Sequence, residues 1–402
     1  MYILYKIVIR LLHIAFKISS FAGNRKIKER NRIMQHKISA YSPDQKTIWV
    51  HAASSGEIMT LIPLLEKIQT TLKLPIVFSF FSPSGYHFFK DHSLPDQCLI
   101  LPLPTETNIV RFIQQINPEI CLWIKNEFWL EYFKEIHYKH IPLYWIDVNL
   151  KLKYKLFNSL IKSNLYLFNK IFTLNKNLPK SSNVITTNTL KFDSVLPLLL
   201  NNYQHVALEK YVKNKPTIIL GSCHVSDINL WLAFLRKEPN KVVQINWIIA
   251  PHDPEDSTIK SLIQKIPYYT FSSSNFLSNV LYINTIGDLR YLYKYTDGAF
   301  IGGGFNKGIH NILEAAIHGI PVCHGFNYTA FPEALTLKEH QLTTPINSIN
   351  DFSQFIDRVM KNRNRMPQNL LQTHPQLFGN TESIYNEIMN DYQQLASKFL
   401  RN

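Results

Sequence analysis

Glu57 stands in His51-Ala52-Ala53-Ser54-Ser55-Gly56-Glu57, directly after the apolar run Ile48-Trp49-Val50. A carboxylate in the first helical turn after a buried strand is placed to take a proton from a hydroxyl, as a general base. The same carboxylate would also complement a helix dipole. Glu127, in Lys125-Asn126-Glu127-Phe128-Trp129, follows the run Ile120 to Ile124 and carries the same two readings. The third carboxylate, Glu314, lies in the stretch Asp297 to Glu333. The chain has 13 glycines, and seven of them fall between Gly298 and Gly325. Ala299-Phe300-Ile301 predicts a short buried strand and Gly302-Gly303-Gly304 a turn. Gly308 to His318 predicts a helix with Ile309, Ile312, Leu313 and Ala316 on one face. A glycine-rich turn entering a helix presents free N–H groups and a dipole to an anion. Lys307, at that N-terminus, is expected to face a phosphate. Asn311 and Glu314 share a helical face, where Glu314 could accept both hydroxyls of a ribose. The alternative is an ordinary tight strand-to-helix connection.

Two histidines follow other strand-like runs. His224 closes Gly221-Ser222-Cys223-His224, and His252 closes Ala250-Pro251-His252. Both read first as turn or capping residues. There is no Asp-x-Asp, no His-Glu-x-x-His and no Cys/His cluster in the sequence, so no metal and no cofactor are expected. Gly302-Gly303-Gly304 is not a P-loop, and no nucleophile elbow is present. The cysteines Cys98, Cys121, Cys223 and Cys323 are widely spaced, which suits a reducing compartment and argues against a disulfide framework.

The elements that must position these residues alternate between strand and helix. Strands are expected near 48–50, 75–80, 98–101, 120–124 and 143–146, then near 217–220, 244–250, 280–283 and 299–301. Helical patterns lie between them. Such alternation predicts parallel sheets with crossover helices. At 402 residues, two α/β domains are the default. The reading divides the chain into an N-terminal helical segment, 1–40, a first Rossmann-like domain, 41–200, and a second, 201–402. Two such domains would bind ligands at the carboxyl ends of their strands, in a cleft between them. Residues 150–180 read as a packed helix with a basic face, 197–215 as a linker, and 380–399 as a closing helix of the second domain.

The net charge is +14, so an anionic partner is expected. No basic-aromatic nucleic-acid module is present, so nucleic acid is not the expected partner. Residues 1–22 place Lys6, Arg10, His13 and Lys17 on one side of a helix and Ile3, Ile7, Leu11, Ile14 and Ile18 largely on another. The uncharged runs are too short to span a bilayer, and no small-residue cleavage site follows. A basic amphipathic helix lying on an anionic membrane is expected, helped by the basic residues from Arg25 to Lys37.

Taken together, these segments resemble the 3-deoxy-D-manno-octulosonic acid (Kdo) transferases of lipopolysaccharide synthesis. His51 to Glu57 is similar to the family's H-A-x-S-x-G-E, and Ser79 to Tyr86 to its second segment. Glu127-Phe128-Trp129 is similar to E-x-W, Gly221 to His224 to G-S-T-[HW], and Ala250-Pro251-His252 to A-P-[RH]. Gly302 to Ala316 is similar to G-G-x…G-x-H-N-x-L-E-x-A. The resemblance spans roughly residues 1–340. Three features depart from the pattern. Asn188 to Asp193 lacks a glycine, His252 stands where many members have arginine, and Asp147-Val148-Asn149 lacks a common arginine.

The resemblance implies a GT-B fold and inverting, metal-independent transfer of Kdo from CMP-Kdo to lipid A precursor at the cytoplasmic face of the bacterial inner membrane. It implies Glu57 as the base, with Ser54, Ser55, Gly56 and Glu127 on the acceptor side. Ser222, His224, Pro251, His252, Gly302, Gly303, Gly304, Lys307, Gly308, Asn311 and Glu314 would bind the donor. Two other classes stay open: another GT-B nucleotide-sugar enzyme using UDP, and a non-catalytic basic membrane-binding protein.

Overall fold

The computed structural model describes residues 1–35, 45–150, 158–174, 178–179, 181–264, 266–272, 278–363 and 368–399. The chain forms two compact units, one of residues 1–190 with 379–402 and one of residues 191–378. Lys37, part of the basic run, and residues 151–157 of the expected basic helix lie outside the described residues.

The first unit is built on a parallel seven-stranded sheet. Its strands are β1 (Thr47–Ala52), β2 (Ile76–Phe80), β3 (Gln97–Ile100), β4 (Pro118–Ile124), β5 (Leu143–Val148), β6 (Lys170–Thr173) and β7 (Val184–Thr186). They lie in the order β3-β2-β1-β4-β5-β6-β7. Helices cover both faces, so the central strands are apolar throughout rather than alternating. Trp49, Val77, Trp123 and Trp145 pack into one core. Their neighbours Ile48, Val50, Phe78, Leu122 and Tyr144 pack into the other. This is the period-two alternation of a strand, with both faces buried.

The second unit repeats the plan with β8 (Thr217–Cys223), β9 (Asn246–Pro251), β10 (Tyr269–Thr270), β11 (Val280–Tyr282), β12 (Gly298–Ile301), β13 (Val322–His324) and β14 (Thr343–Pro345). The parallel order is β10-β11-β9-β8-β12-β13-β14. Ile219, Ile248, Leu281 and Ala299 line one core. Leu220, Trp247, Ile249 and Phe300 line the other.

In each sheet the chain order reverses beside the first strand, between β1 and β4 and between β8 and β12. At such a switch point the crossovers leave in opposite directions and open a crevice at the carboxyl ends of the strands. In folds of this kind a ligand position at the switch point is reached by the residues that follow the flanking strands, here β1, β4, β8 and β12.

Three expectations differ from the structure. The closing helix, Asn380–Phe399, belongs to the first unit, where Ile384, Ile388 and Met389 complete the core around Leu64, Ile68 and Tyr144. Tyr144 donates to Asp391 at 2.8 Å, and Tyr392 to Glu119 at 2.8 Å. The apolar stripe of this helix was legible, but its partner was not. Residues 197–215 are no bare linker. They form helices Pro197–Leu200 and Val206–Lys213, which bury Leu198, Leu208 and Tyr211. Within 150–180, the described residues form a short helix, Asn158–Ser163, and then β6. Here strand pairing with β5 and β7 overrides the helical spacing.

The N-terminal helix, Tyr2–Phe21, has apolar residues on two faces. Tyr5, Ile9 and Leu12 pack on the core of the first unit. The Tyr5 hydroxyl donates to Glu131 at 2.7 Å and accepts from the Leu130 N–H at 3.0 Å. Ile3, Ile7, Leu11, Ile14 and Ile18 are all exposed, Ile3 at 76% and Ile18 at 62%. Among the described residues, no helix is long and apolar enough to cross a membrane.

Candidate functional site

The first candidate site lies at the switch point of the first unit. After β1 the chain turns through Ala53 and Ser54 into a five-residue helix, Ser55–Met59. Ser54 takes extended backbone angles as the cap, and Glu57 falls in the first turn. The Glu57 carboxylate accepts the Ala53 N–H at 2.8 Å. Burial pushes the Glu57 carboxyl above its ordinary range, while the Lys125 ammonium and the Ala53 N–H pull it down. A carboxylate raised this way holds a proton more readily than a surface one, which suits a group that must accept one during reaction. Ser54 and Ser55 are half-buried beside it, and Gly56 is exposed with open space around it.

The loop after β4 faces the same crevice. Two buried indoles hold it. Trp145 Nε1 donates to the Lys125 carbonyl at 2.6 Å, and Trp123 Nε1 to the Glu127 carbonyl at 2.9 Å. The Glu127 carboxylate accepts from Trp129 Nε1 at 3.2 Å and lies 2.8 Å from His51 Nε2. His51 is wholly buried, and its Nδ1 lies 2.8 Å from Ser79 Oγ. Ser79 Oγ in turn accepts from Trp49 Nε1 at 2.8 Å. An indole N–H can only donate, so the Ser79 hydroxyl proton is free to point at His51 Nδ1. A His51 ring that accepts from Ser79 at Nδ1 carries a proton on Nε2 and donates it to Glu127. Lys125, at a φ of +58°, sets its ammonium 3.8 Å from Asp147.

The second candidate site lies at the switch point of the second unit. Ser222 lies near the end of β8, at a left-handed φ of +53° where the strand register shifts, and His224 caps helix Val225–Lys237. Beside them, the turn after β12 is folded onto the protein itself. The Gly302 N–H donates to the Gly221 carbonyl at 2.8 Å, and the Gly303 N–H to buried Asp227 at 2.9 Å. A Cβ on Gly302 would lie 2.3 Å from the Ser222 carbonyl oxygen, so glycine is required there by close backbone packing. Gly304 belongs to the same buried turn. The expected helix from Gly308 does not form. Gly308 sits at a φ of +133°, outside the helical region, and the helix is only Leu313–Ala316. Lys307 is accordingly exposed on a turn rather than at a helix N-terminus.

Asn311 and Glu314 come together as expected, with Asn311 Nδ2 donating to Glu314 at 3.0 Å. The Asn311 side-chain oxygen also accepts the Leu313 N–H at 3.2 Å. Burial pushes the Glu314 carboxyl up, opposed by Arg290 and Asn311. His224 and His252, read as turn residues, meet His310. His224 Nε2 and His310 Nε2 lie 2.8 Å apart, and the rings of His252 and His310 stack at 4.3 Å. Pro251, the last residue of β9, is buried beneath His252.

Sequence reasoning passed over His51, Ser79, Lys125, Asp227, Arg290 and His310 as site residues. A polar residue inside an apolar strand, as with His51 and Ser79, is the signal that would have found two of them. The convergence of the histidines had no sequence signal, because their spacings of 28 and 58 residues match no metal motif.

Residues 25–193 match a family model described as 3-Deoxy-D-manno-octulosonic-acid transferase (kdotransferase). A 3-deoxy-D-manno-octulosonic acid transferase of Haemophilus influenzae is 27% identical over 342 residues, with 78% of each chain covered. One of Rickettsia prowazekii is 25% identical over 399 residues, covering 92% of this chain and 84% of that one. Residues 25–193 are thus similar to the Kdo transferase domain, and the chain is similar to Kdo transferases along most of its length. Kdo transferases are glycosyltransferases, and this chain is an enzyme of that class. Solved structures show the fold. A UDP-N-acetylglucosamine 2-epimerase from Rickettsia bellii superposes with a TM-score of 0.53 at 10% identity, covering 87% of this chain and 98% of that chain. A calicheamicin glycosyltransferase superposes at 0.51 with 11% identity, covering 88% and 100%. The two Rossmann-like units are thus of the GT-B class.

Proposed function

We propose that this chain is a Kdo transferase, moving Kdo from CMP-Kdo to a lipid A precursor, with inversion at the anomeric carbon and no metal in the transfer step. The observation that carries the reading is Glu57. Its carboxylate stands at the carboxyl end of β1, half-buried, oriented by the Ala53 N–H and raised in pKa by burial. In the reaction, Glu57 takes the proton of the acceptor hydroxyl. The acceptor oxygen bonds to the anomeric carbon from the face opposite the phosphate. The bond from that carbon to the phosphate oxygen breaks, and CMP leaves with the electron pair. Inversion needs one base and no covalent intermediate.

On the donor side the reading assigns the ribose to Glu314 and Asn311, the nucleotide contact to Ser222 and the leaving phosphate to Lys307. The Gly302–Gly304 turn shapes this edge, although its Gly302 and Gly303 N–H groups are already engaged within the protein. On the acceptor side, a cavity of about 230 Å³ lies beside the N-terminal helix, lined by Tyr5, Val8, Leu12, Glu127, Phe128 and Trp129. A larger cavity of about 800 Å³ is lined by residues including Lys6, Arg10, His13 and Lys134. Apolar surface beside basic groups suits an acylated, phosphorylated acceptor. The exposed Ile3–Ile18 face supports attachment to the anionic cytoplasmic surface of the inner membrane.

The test is to incubate the purified protein with CMP-Kdo and lipid A precursor and to read product mass. A gain of Kdo on the lipid is expected, together with binding of CMP in preference to UDP. Binding of UDP alone, with no Kdo transferred, overturns the reading in favour of another nucleotide-sugar enzyme.

A further inference from the structure

Three neighbouring strands of the second sheet, β9, β8 and β12, each deliver one histidine past their carboxyl ends. His252 directly follows β9 and His224 directly follows β8. His310 follows β12 after the glycine turn, and its N–H is tied back to the Gly302 carbonyl at 3.1 Å. His252 is fixed in the same way, its N–H donating to the Cys223 carbonyl at 2.9 Å. One ring nitrogen from each histidine lies within 4.8 Å of the others. Ring centres are 4.3 to 5.1 Å apart. The backbone thus holds three imidazoles together with no acidic side chain among them.

We propose that His224, His252 and His310 form a binding site for one divalent transition-metal ion, of the Zn²⁺, Co²⁺ or Ni²⁺ type. Protonated imidazoles would repel at these separations, so the cluster is assembled for rings with free lone pairs. The 2.8 Å approach of His224 Nε2 to His310 Nε2 requires one to donate and the other to accept. Metal–nitrogen bonds of about 2.0–2.1 Å in a tetrahedron put ligand nitrogens roughly 3.3 Å apart, so binding requires the rings to turn their nitrogens toward the ion. Three nitrogen ligands select a borderline transition metal over Mg²⁺ or Ca²⁺, which prefer oxygen.

The surroundings suit a cation. Asp227, fully buried, accepts the His224 N–H at 2.8 Å and the Gly303 N–H at 2.9 Å. Its other oxygen, Oδ1, is buried with no hydrogen-bond partner. His252 is exposed, so an ion can enter and leave from solvent, and a fourth position remains for water. The proposal gives the ion no step in the transfer, and it takes up His224 and His252, which the family resemblance had assigned to the donor.

The experiment uses the full chain, without a histidine tag, after treatment with a chelator. Co²⁺ is titrated and the visible absorption of the bound ion is recorded. One Co²⁺ per chain, displaced by Zn²⁺ and not by Mg²⁺, is expected. His252→Ala, at an exposed position, should fold as wild type by circular dichroism and bind Co²⁺ at least about 10- to 100-fold more weakly. His252→Cys should keep the ion and add a sulfur-to-cobalt absorption band. The absence of saturable Co²⁺ binding by the wild type, or equal binding by His252→Ala, overturns the proposal. Binding of inorganic phosphate in place of Co²⁺, dependent on His252, also overturns it and makes the cluster an anion site.

Discussion

His51 Nε2 lies 2.8 Å from Glu127 Oε2, which joins a buried strand residue to the loop at the switch point of the first sheet. Trp49, Ser79 and Trp129 complete the array, so Glu127 is oriented from the core outward. Glu127→Ala should leave buried His51 without its partner and cost about 1–3 kcal/mol of stability, the penalty of an unsatisfied buried polar group. Urea unfolding measures this. An unchanged midpoint would show that the His51–Glu127 bond carries no structural weight.

Glu57 has a pKa raised by burial, so the folded state holds its proton more tightly than the unfolded chain. Stability from this group is complete below the ordinary carboxylate pKa and is lost as pH rises through the raised value. Glu57→Gln, permanently neutral, should therefore gain melting temperature relative to wild type at pH 7 and not at pH 4. Turnover should fall by about 10²–10⁴-fold with donor affinity little changed. Wild-type turnover in this variant would remove Glu57 as the base.

Glu314→Ala or Asn311→Ala should weaken CMP binding by about 1–3 kcal/mol, through loss of a charge-assisted or buried hydrogen bond. Calorimetry on both variants decides the assignment. CMP affinity equal to wild type in both takes the pair out of the donor site.

Deleting the whole N-terminal helix would uncover the core beneath Tyr5, Ile9 and Leu12, so point changes on its outer face are the sharper test. Ile7→Ser, Leu11→Ser and Ile14→Ser combined should reduce flotation with anionic vesicles by more than about tenfold, while leaving melting temperature near wild type. Raising salt should weaken wild-type binding as well. Vesicle binding that survives the triple change would place the membrane contact elsewhere.

His318 is pushed down to about 4, first by burial and then by Lys294. The unfolded histidine protonates near 6.5, while the folded one stays neutral to about 4. Its contribution to stability is therefore present above that window and lost as pH falls through it. His318→Gln should flatten the fall in stability between pH 6.5 and 4. Identical pH profiles for variant and wild type would contradict this account.

Much of the architecture was legible because it is written in local pattern. Apolar runs such as Ile48-Trp49-Val50 and Thr217 to Leu220 lie in strands buried on both faces, and their alternation with helical segments implies parallel sheets. The pairing of Asn311 with Glu314 followed from a separation of three residues, which one turn of chain satisfies although Asn311 lies just before the four-residue helix Leu313–Ala316. Strands β6, β7, β10, β13 and β14, of two to four residues, were not predicted, whereas the equally short β3, β11 and β12 were read from apolar runs, since strands this short carry little period of their own.

By itself the sequence determined the class of fold, the resemblance to Kdo transferases, the turns on which Glu57 and Glu127 stand and the strand end that carries Ser222. Each of these depends on residues close together in the chain. The tertiary structure alone decided what lies beside them. It gave helix Asn380–Phe399 to the first unit, because a hydrophobic stripe does not name its partner. It turned the N–H groups of Gly302 and Gly303 onto Gly221 and Asp227, because strand order brings β8 beside β12. It gathered His224, His252 and His310 from three strands, because sheet order, and not chain order, sets which carboxyl ends are neighbours.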